Sequence, residues 1–143
     1  MIEIIKNKKA SFDYEFLEIF TAGIILQGFE IKSIREHKTN LNDSFCFFVD
    51  NQLYSNFHIS EHSNAQFYKH DPKRNKKLLL TKNELKKLSK SVKIKGLTII
   101  PYRIFINDKS LAKIDIAICR GKKLYDKKNS IKERDLDRDL KNY

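Results

Sequence analysis

Apolar positions along the chain fall into short runs that are separated by turn signals. Residues 44–49 and 52–59 are two such runs, and both contain aromatic and β-branched residues typical of strands. They flank Asp50-Asn51, a pair that is typical of a two-residue hairpin turn. The pattern therefore predicts a β-hairpin over residues 44–59.

A second hairpin is predicted near the end of the apolar part of the chain. Residues 97–106 and 110–119 form its arms, and Asn107-Asp108-Lys109 forms its turn. Along the second arm, apolar residues recur at every second position, so they share one face of a strand. The residues predicted for this core face are Ala112, Ile114, Ile116 and Ile118.

Residues 13–26 are rich in Phe, Tyr and Ile, with Glu15 and Glu18 interspersed. This composition predicts strand, and Gly23 permits a turn. We therefore expect two strand segments around residues 21–23. Residues 1–10 are interpreted as a short leader that ends in a basic cluster.

Two segments have helical patterns. Residues 27–37 place three apolar residues opposite three charged ones, which predicts a short helix; the apolar set is Phe29, Ile31 and Ile34, and the charged set is Glu30, Lys32 and Arg35. Thr81 followed by Glu84 matches a capping box, so a short basic helix is expected to about residue 90. Residues 61–74 are polar and are expected to form a loop.

Six or so short strands with turns between them predict a mainly β fold, a small closed antiparallel barrel with short flanking helices. Residues 120–143 contain 9 basic and 5 acidic residues and few apolar ones. Such a segment cannot bury enough apolar surface to offset the entropy of ordering. We therefore expect a β-barrel domain over residues 1–120 and, over residues 121–143, a basic tail that is disordered in the free protein.

The net charge of +11 is unevenly distributed. Residues 69–95 contain 11 basic and 2 acidic residues, whereas residues 1–68 contain 6 basic and 9 acidic ones. A basic surface of this kind favours a nucleic acid or an anionic membrane surface as partner. We expect the phosphate contacts to come from a basic loop that follows Phe67 and Tyr68. The rings of these two residues could stack on a base or pack under the loop. The cations of the loop are Lys73, Arg74, Lys76 and Lys77.

Several other classes of protein are disfavoured. Cys46 and Cys119 lie within apolar runs, which indicates reduced thiols and neither a disulfide framework nor a zinc site. The sequence has no signal-peptide pattern, no apolar run of membrane-spanning length and no phosphate-binding glycine loop. A soluble, cytoplasmic protein without a cofactor or membrane partner is expected.

Two functional alternatives remain open at the level of the residues. Glu30-Ile31-Lys32 has the Glu-x-Lys spacing of metal-dependent nucleases, with Asp13 or Asp43 as a second carboxylate for Mg²⁺. The spacing is common by chance, and a helical position fits such a nuclease poorly. Composition and charge by themselves favour a generic barrel protein that binds RNA. The sequence has no strong catalytic motif, and an enzyme is not expected.

Several motifs occur in the order seen in one known family, the SsrA-binding protein (SmpB) family, and the resemblance spans nearly the whole chain. The matching segments are Asn7-Lys8-Lys9-Ala10, Asp13-Tyr14-Glu15, Ala22 to Arg35, Asn40-Leu41-x-Asp43-Ser44, His70-Asp71-Pro72-x-Arg74-x-x-Lys77 with the leucines that follow, Lys95-Gly96-Leu97-Thr98, Arg120 to Lys127, and Ile131 to Arg134. Residues 58–69 and the end after Leu136 match poorly. Lys76 and Lys128 stand where arginine is common in the family.

The resemblance implies an oligonucleotide-binding (OB)-like closed barrel that binds the tRNA-like domain of transfer-messenger RNA (tmRNA). It implies delivery of that RNA, with elongation factor Tu bound through the RNA, to stalled ribosomes for trans-translation (ribosome rescue). The tail would sense the empty mRNA channel near the decoding centre. The implied RNA contacts are Asn7, Lys8, Glu30, Lys32, Arg35, Asn40 and Lys77, to which charge adds Arg74 and Lys76. The implied ribosome-sensing residues are Lys122, Lys123, Tyr125, Asp126, Lys127, Lys128, Ile131, Lys132 and Arg134.

Overall fold

The computed structural model describes residues 2–60 and 74–122. These residues contain nine strands and three helices. In chain order the elements are β1 (Ile2–Lys6), α1 (Lys8–Asp13), β2 (Tyr14–Ile24), α2 (Gly28–Arg35), β3 (Thr39–Asn40), β4 (Cys46–Val49), β5 (Gln52–Ser55), β6 (His58–Ile59), β7 (Lys76–Leu79), α3 (Lys82–Val92), β8 (Leu97–Ile106) and β9 (Ala112–Gly121).

Seven of the strands form one antiparallel sheet in the order β1-β8-β4-β5-β7-β2-β9, and β8 also pairs with β9. Because of this extra pairing, one can pass from β8 through β4, β5, β7, β2 and β9 and return to β8. We call these six strands the strand circuit. β1 adds to the outside of the circuit along β8, and β3 and β6 form a separate two-stranded sheet. The mainly β prediction is confirmed.

The main hydrophobic core gathers side chains from the strand circuit and from both longer helices. Ile34 of α2 and Leu88 of α3 are fully buried in it. The predicted face of β9 is buried at Ile114, Ile116 and Ile118. Ala117 and Cys119, on the opposite face of β9, are buried in a second cluster with Ala10 and Ile100. The N-terminal helix α1 thus covers the outer face of the β8–β9 pair.

Both predicted hairpins are confirmed. β4 pairs with β5 around Asp50-Asn51, and both turn residues have positive φ, at 49° and 64°. This backbone conformation matches the twist of a two-residue hairpin. β8 pairs with β9 over nearly their whole lengths.

The predicted turn at residues 21–23 is wrong. β2 is one strand from Tyr14 to Ile24, and its only register shift lies between Phe16 and Glu18. Gly23 instead allows the close approach of β7, since a Cβ atom built there would lie 3.3 Å from the Cβ of Leu79. Glycine in a strand often marks such an approach.

The interpretation of residues 1–10 as a leader is also wrong, because residues 2–10 contain β1 and the start of α1. Apolar Ile4 and Ile5 pack against the main core. The side chain of Asn7 caps α1 by accepting a hydrogen bond from the amide of Ala10 at 3.1 Å. The N-terminal residues therefore belong to the folded domain.

The two predicted helices are present. Thr81 and Glu84 form the predicted capping box, and α3 extends to Val92, two residues beyond the expected end. α2 begins after Gln27 and also has a capping box, in which the backbone N–H of Gln27 donates to the Glu30 carboxylate at 2.8 Å. Within the described part of the chain, no helix is long and apolar enough to cross a membrane.

Candidate nucleic-acid interface

Glu30 and Arg74 form a partly buried ion pair where α2 begins. The Glu30 side chain is fully buried, whereas that of Arg74 is 31% exposed. Arg74 Nε donates to Glu30 Oε2 at 3.2 Å, and Arg74 Nη2 donates to Glu30 Oε1. This is the two-pronged geometry that suits guanidinium and carboxylate. The sequence pattern placed Glu30 on the polar outer side of the helix, and the structure corrects that placement.

Arg74 also reaches the backbone around the ion pair. Nη2 donates to the carbonyl oxygen of Ile25 at 3.4 Å, and Nη1 donates to that of Asn75 at 3.4 Å. The backbone N–H of Ile25 in turn donates to the carbonyl oxygen of Lys77 at 3.0 Å. The Arg74 guanidinium is therefore held against the backbone of Ile25, which is itself hydrogen-bonded to the backbone of Lys77 in β7.

Lys32 and Arg35 are exposed on α2, as expected for RNA contacts. Arg35 Nη2 donates to the carbonyl oxygen of Ser110 at 3.4 Å, which links the helix to the β8–β9 turn. Both side chains remain accessible to a polyanion.

Lys76 is not on the surface. Its side chain is fully buried, and Nζ donates to the carbonyl oxygen of Phe57 and lies 4.8 Å from the centroid of the Phe57 ring. The charge pattern placed Lys76 on an exposed RNA-binding loop, and this placement is wrong. In β7 alternate side chains point to opposite faces, so the core side receives Lys76 and Leu78.

The remaining predicted contacts lie near α1. Lys8 is exposed at the first turn. Asn7 is buried, and its Nδ2 donates to the carbonyl oxygens of Leu41 and Pro101, each at 3.2 Å. The Asn7 amide thus links the start of α1 to Leu41 and Pro101. Its role in RNA binding stays a prediction.

Asn40 is exposed and lines a polar cavity of about 340 Å³ that also includes Asn56 and His58. Asp43 lines this cavity and an adjoining cleft of about 270 Å³ beside α1. Lys9 pairs with Asp43 across 3.1 Å, and both side chains are largely exposed. These clefts offer amide and hydroxyl groups, and they are also lined by Lys9 and by the carboxylates of Asp13 and Asp43.

Sequence analysis missed an aromatic row on the outer side of β4 and β5. The rings of Phe47 and Tyr54 stack with centroids 6.4 Å apart, and Phe45 meets Phe47 edge-on at 6.0 Å. Phe45 is 47% exposed, and Tyr54 is the register partner of Lys77. Exposed rings beside a cation can stack on an unpaired base. The sequence did contain a signal for this row. Residues 45, 47 and 49 alternate along the chain with the apolar Cys46, which places them on the opposite face of the strand.

The lysines of α3 are all exposed. Lys87 pairs with Glu18 at 3.5 Å, and exposed pairs of this kind contribute little stability. The exposed lysines of α3 are Lys82, Lys86, Lys87 and Lys90. They add exposed cations to the surface of the domain.

The nuclease hypothesis fits these positions poorly. Both oxygens of Glu30 accept hydrogen bonds from Arg74, so metal binding would require breaking a buried ion pair. Asp43 pairs with Lys9, on another part of the surface. Among the described residues, no group of three His, Cys, Asp or Glu side chains could hold a metal ion.

Several predicted residues lie outside the described ranges. These include Phe67 and Tyr68, and all the tail residues from Lys123 to Arg134. Lys122 is described: its backbone N–H donates to Asp13 at 3.0 Å, and its Nζ donates to the carbonyl oxygen of Ser11 at 3.2 Å. Lys122 therefore fastens the end of β9 to α1. The role of the tail stays a prediction.

The fold and the surface together define a basic, mainly β domain of the kind that binds nucleic acid. Its cations lie on α1, α2, α3 and at the start of β7, around one strand circuit. The predicted residues Glu30 and Arg74 are brought together, whereas Asn7 and Asn40 line two adjoining clefts near α1.

Comparison with known proteins specifies the family. A family model described as SmpB protein matches residues 4–143. The SsrA-binding protein of Christiangramia forsetii is 53% identical and is aligned over 97% of this chain and 92% of its own length. That of Pseudothermotoga lettingae is 46% identical over 99% of this chain and 97% of its own. The chain belongs to the SmpB protein family.

A solved structure supports the same relationship. The structure is described as "tmRNA-SmpB: a journey to the center of the bacterial ribosome", and one of its chains is 40% identical to this one with a TM-score of 0.73. The likeness covers 89% of this chain and 93% of the other. It therefore extends across the strands and the helices that carry the basic surface.

Proposed function

We propose that this protein binds the tRNA-like domain of tmRNA and delivers it to stalled ribosomes for trans-translation. The observation that carries the proposal is the likeness, over most of the chain, to a protein from a tmRNA–SmpB structure. The basic surface is consistent with it, because phosphate contacts supply much of the affinity of an RNA-binding protein.

The fold gives this proposal a physical basis. The strand circuit is proposed to be the closed, OB-like barrel, which presents a rigid frame to the RNA. Backbone and side-chain contacts to phosphates set the position of the RNA, and contacts to bases provide specificity. Arg74, Lys77, Lys32 and Arg35 are proposed for the phosphates, and the polar cavity at Asn40 for sugars or base edges.

The tail is proposed to act on the ribosome. Residues 123–143 contain 7 basic and 5 acidic residues, so they can enter an RNA-lined channel that is empty of message. Tyr125 is proposed to stack on a base at the decoding centre, and Lys127, Lys128 and Lys132 to neutralise phosphates. Elongation factor Tu would be met through the shared RNA.

The test is to recover the protein from a lysate of cells that make tmRNA and to sequence the bound RNA. One dominant tRNA-like RNA is the expected result. A broad mixture of RNAs would support a generic RNA-binding protein instead. As a matched control, a variant with Lys32→Gln, Arg35→Gln and Lys77→Gln should recover much less RNA of any kind.

A further inference from the structure

Glu30 is a fully buried carboxylate on a domain that is expected to bind a polyanion. An ionised carboxylate is stable at such a position only when it is paired and hydrogen-bonded. Glu30 meets this requirement through the amide of Gln27 and the guanidinium of Arg74. Its oxygens face these donors, so a direct contact between Glu30 and RNA would require the site to open.

Arg74 has the complementary environment. Its side chain is 31% exposed. Nε and Nη2 donate to Glu30. Among the described residues, Nη1 and Nη2 also make long hydrogen bonds of 3.4 Å, to the carbonyl oxygens of Asn75 and Ile25 respectively. A guanidinium has five N–H donors in a fixed plane, so holding one edge sets the direction of the other. The outer edge of Arg74 is thus oriented just before the start of β7.

We propose that Glu30 is a positioning residue for RNA binding: its buried carboxylate orients the Arg74 guanidinium, and the outer edge of Arg74 binds an RNA phosphate. The inference rests on the proposed RNA-binding function and revises the direct contact that the family resemblance implies for Glu30. In this arrangement an acidic residue strengthens the binding of an anion, because it removes the freedom of the arginine that makes the contact.

Glu30→Gln isolates the ion pair. Glutamine can still complete the capping box of α2, so the helix keeps its first turn. The change removes one negative charge, which by simple attraction would tighten RNA binding slightly. If Glu30 positions Arg74, affinity for a transcribed tRNA-like fragment of tmRNA should instead fall about tenfold. Glu36→Gln, on the exposed end of the same helix, is the matched control and should leave affinity unchanged or slightly higher.

Salt dependence separates positioning from direct contact. The slope of log K against log salt reports the phosphates that the protein neutralises. Loss of one phosphate contact by Arg74 should make the slope in Glu30→Gln shallower by about 0.9 for duplex RNA contacts. If Glu30 contacts a base or a hydroxyl itself, affinity falls but the slope does not become shallower, and the proposal is overturned.

A double-mutant cycle with Arg74→Lys completes the test. Lysine keeps a cation beside Glu30 but loses the planar fork, so affinity should fall about tenfold. The double variant should bind no more weakly than the weaker single one. Additive losses would show that the residues act independently and would overturn the proposal.

Folding and function are checked separately. Urea unfolding of each variant establishes that it is folded; if Arg74→Lys is not, the comparison of Glu30→Gln with Glu36→Gln still decides. Equal affinity of the wild-type protein for the tRNA-like fragment and for an unrelated hairpin of equal length would contradict the proposed function. The double-mutant cycle can be measured with either RNA. The proposed function and the positioning role of Glu30 can therefore be contradicted independently of each other.

Discussion

At the scale of single residues, Lys76 and Lys77 show how little a charge by itself reveals. They are neighbours in β7 with the same side chain, yet Lys76 is fully buried and Lys77 is half-buried beside Tyr54. Strand alternation sends one ammonium to the carbonyl of Phe57 and leaves the other at the surface. Their contributions should therefore be separable.

Lys76→Met is expected to lower the free energy of unfolding by about 1–3 kcal/mol, because the buried carbonyl of Phe57 loses its donor. RNA affinity and its salt dependence should not change. Lys77→Met, the matched control, should leave urea unfolding nearly unchanged and weaken RNA binding. A fall in RNA affinity for folded Lys76→Met would place Lys76 at the interface after all.

The two cysteines predict a pH dependence. Burial raises the pKa of the Cys46 thiol, and that of Cys119, from 9.0 to about 12. Below pH 9 both states hold the proton and the thiols do not change stability. As pH rises from about 9 to 12 the unfolded chain loses thiol protons first, so stability falls. The variant with Cys46→Ala and Cys119→Ala should lose less stability over this window in urea titrations; an identical loss would contradict the prediction.

The burial and the hydrogen-bond partners of the site residues could not be predicted from the sequence. Glu30 depends on Arg74, 44 positions away, and Lys76 depends on Phe57, 19 positions away. A helical pattern that counts charges as exposed cannot register such a partner. The exposed positions Lys32 and Arg35 were predicted correctly because solvent is the ordinary environment of a charged side chain.

At the scale of elements, local signals succeeded and a non-local one failed. Asp50-Asn51 and the pair Thr81–Glu84 act within four residues, and both structures were predicted. Gly23 is explained by the approach of Leu79 on another strand, which the local sequence could not indicate. The register shift near Leu17 was likewise not predictable.

Thr81→Ala should destabilise the protein by about 0.5–2 kcal/mol, because α3 loses the side chain that accepts the amide of Glu84. Asn83→Ala, inside the same turn and exposed, should change stability by less than about 0.5 kcal/mol. Urea unfolding measures both. Equal effects of the two substitutions would mean that the cap does not stabilise α3.

At the scale of the whole molecule, the hydrogen bonds of Lys122 show that a truncation should come after residue 122. Composition predicts that the domain ends at residue 120, but Lys122 is still hydrogen-bonded to Ser11 and Asp13 of α1. Removing residues 123–143 takes away a net charge of only +2. Binding to the isolated tRNA-like RNA should therefore weaken only modestly.

The same truncated protein should fail to support tagging on stalled ribosomes, because nothing would enter the empty mRNA channel. Tagging in cells that carry only this variant is the measurement, and Tyr125→Ala in the full chain is the finer test. Full tagging by the truncated protein would contradict the proposed action of the tail and leave the RNA-binding proposal in place.

The strand circuit also has a consequence for synthesis. Among the described strands β9 is the last to be made, yet it pairs with both β2 and β8. Thr21 and Asp115, 94 positions apart, are hydrogen-bonded across one of these pairings. Contacts between such distant segments form slowly. A nascent copy that stops before β9 exposes the edges of β2 and β8, and open strand edges pair with other chains. Copies of this chain that end before β9 are therefore expected to associate with other chains more readily than the full-length protein.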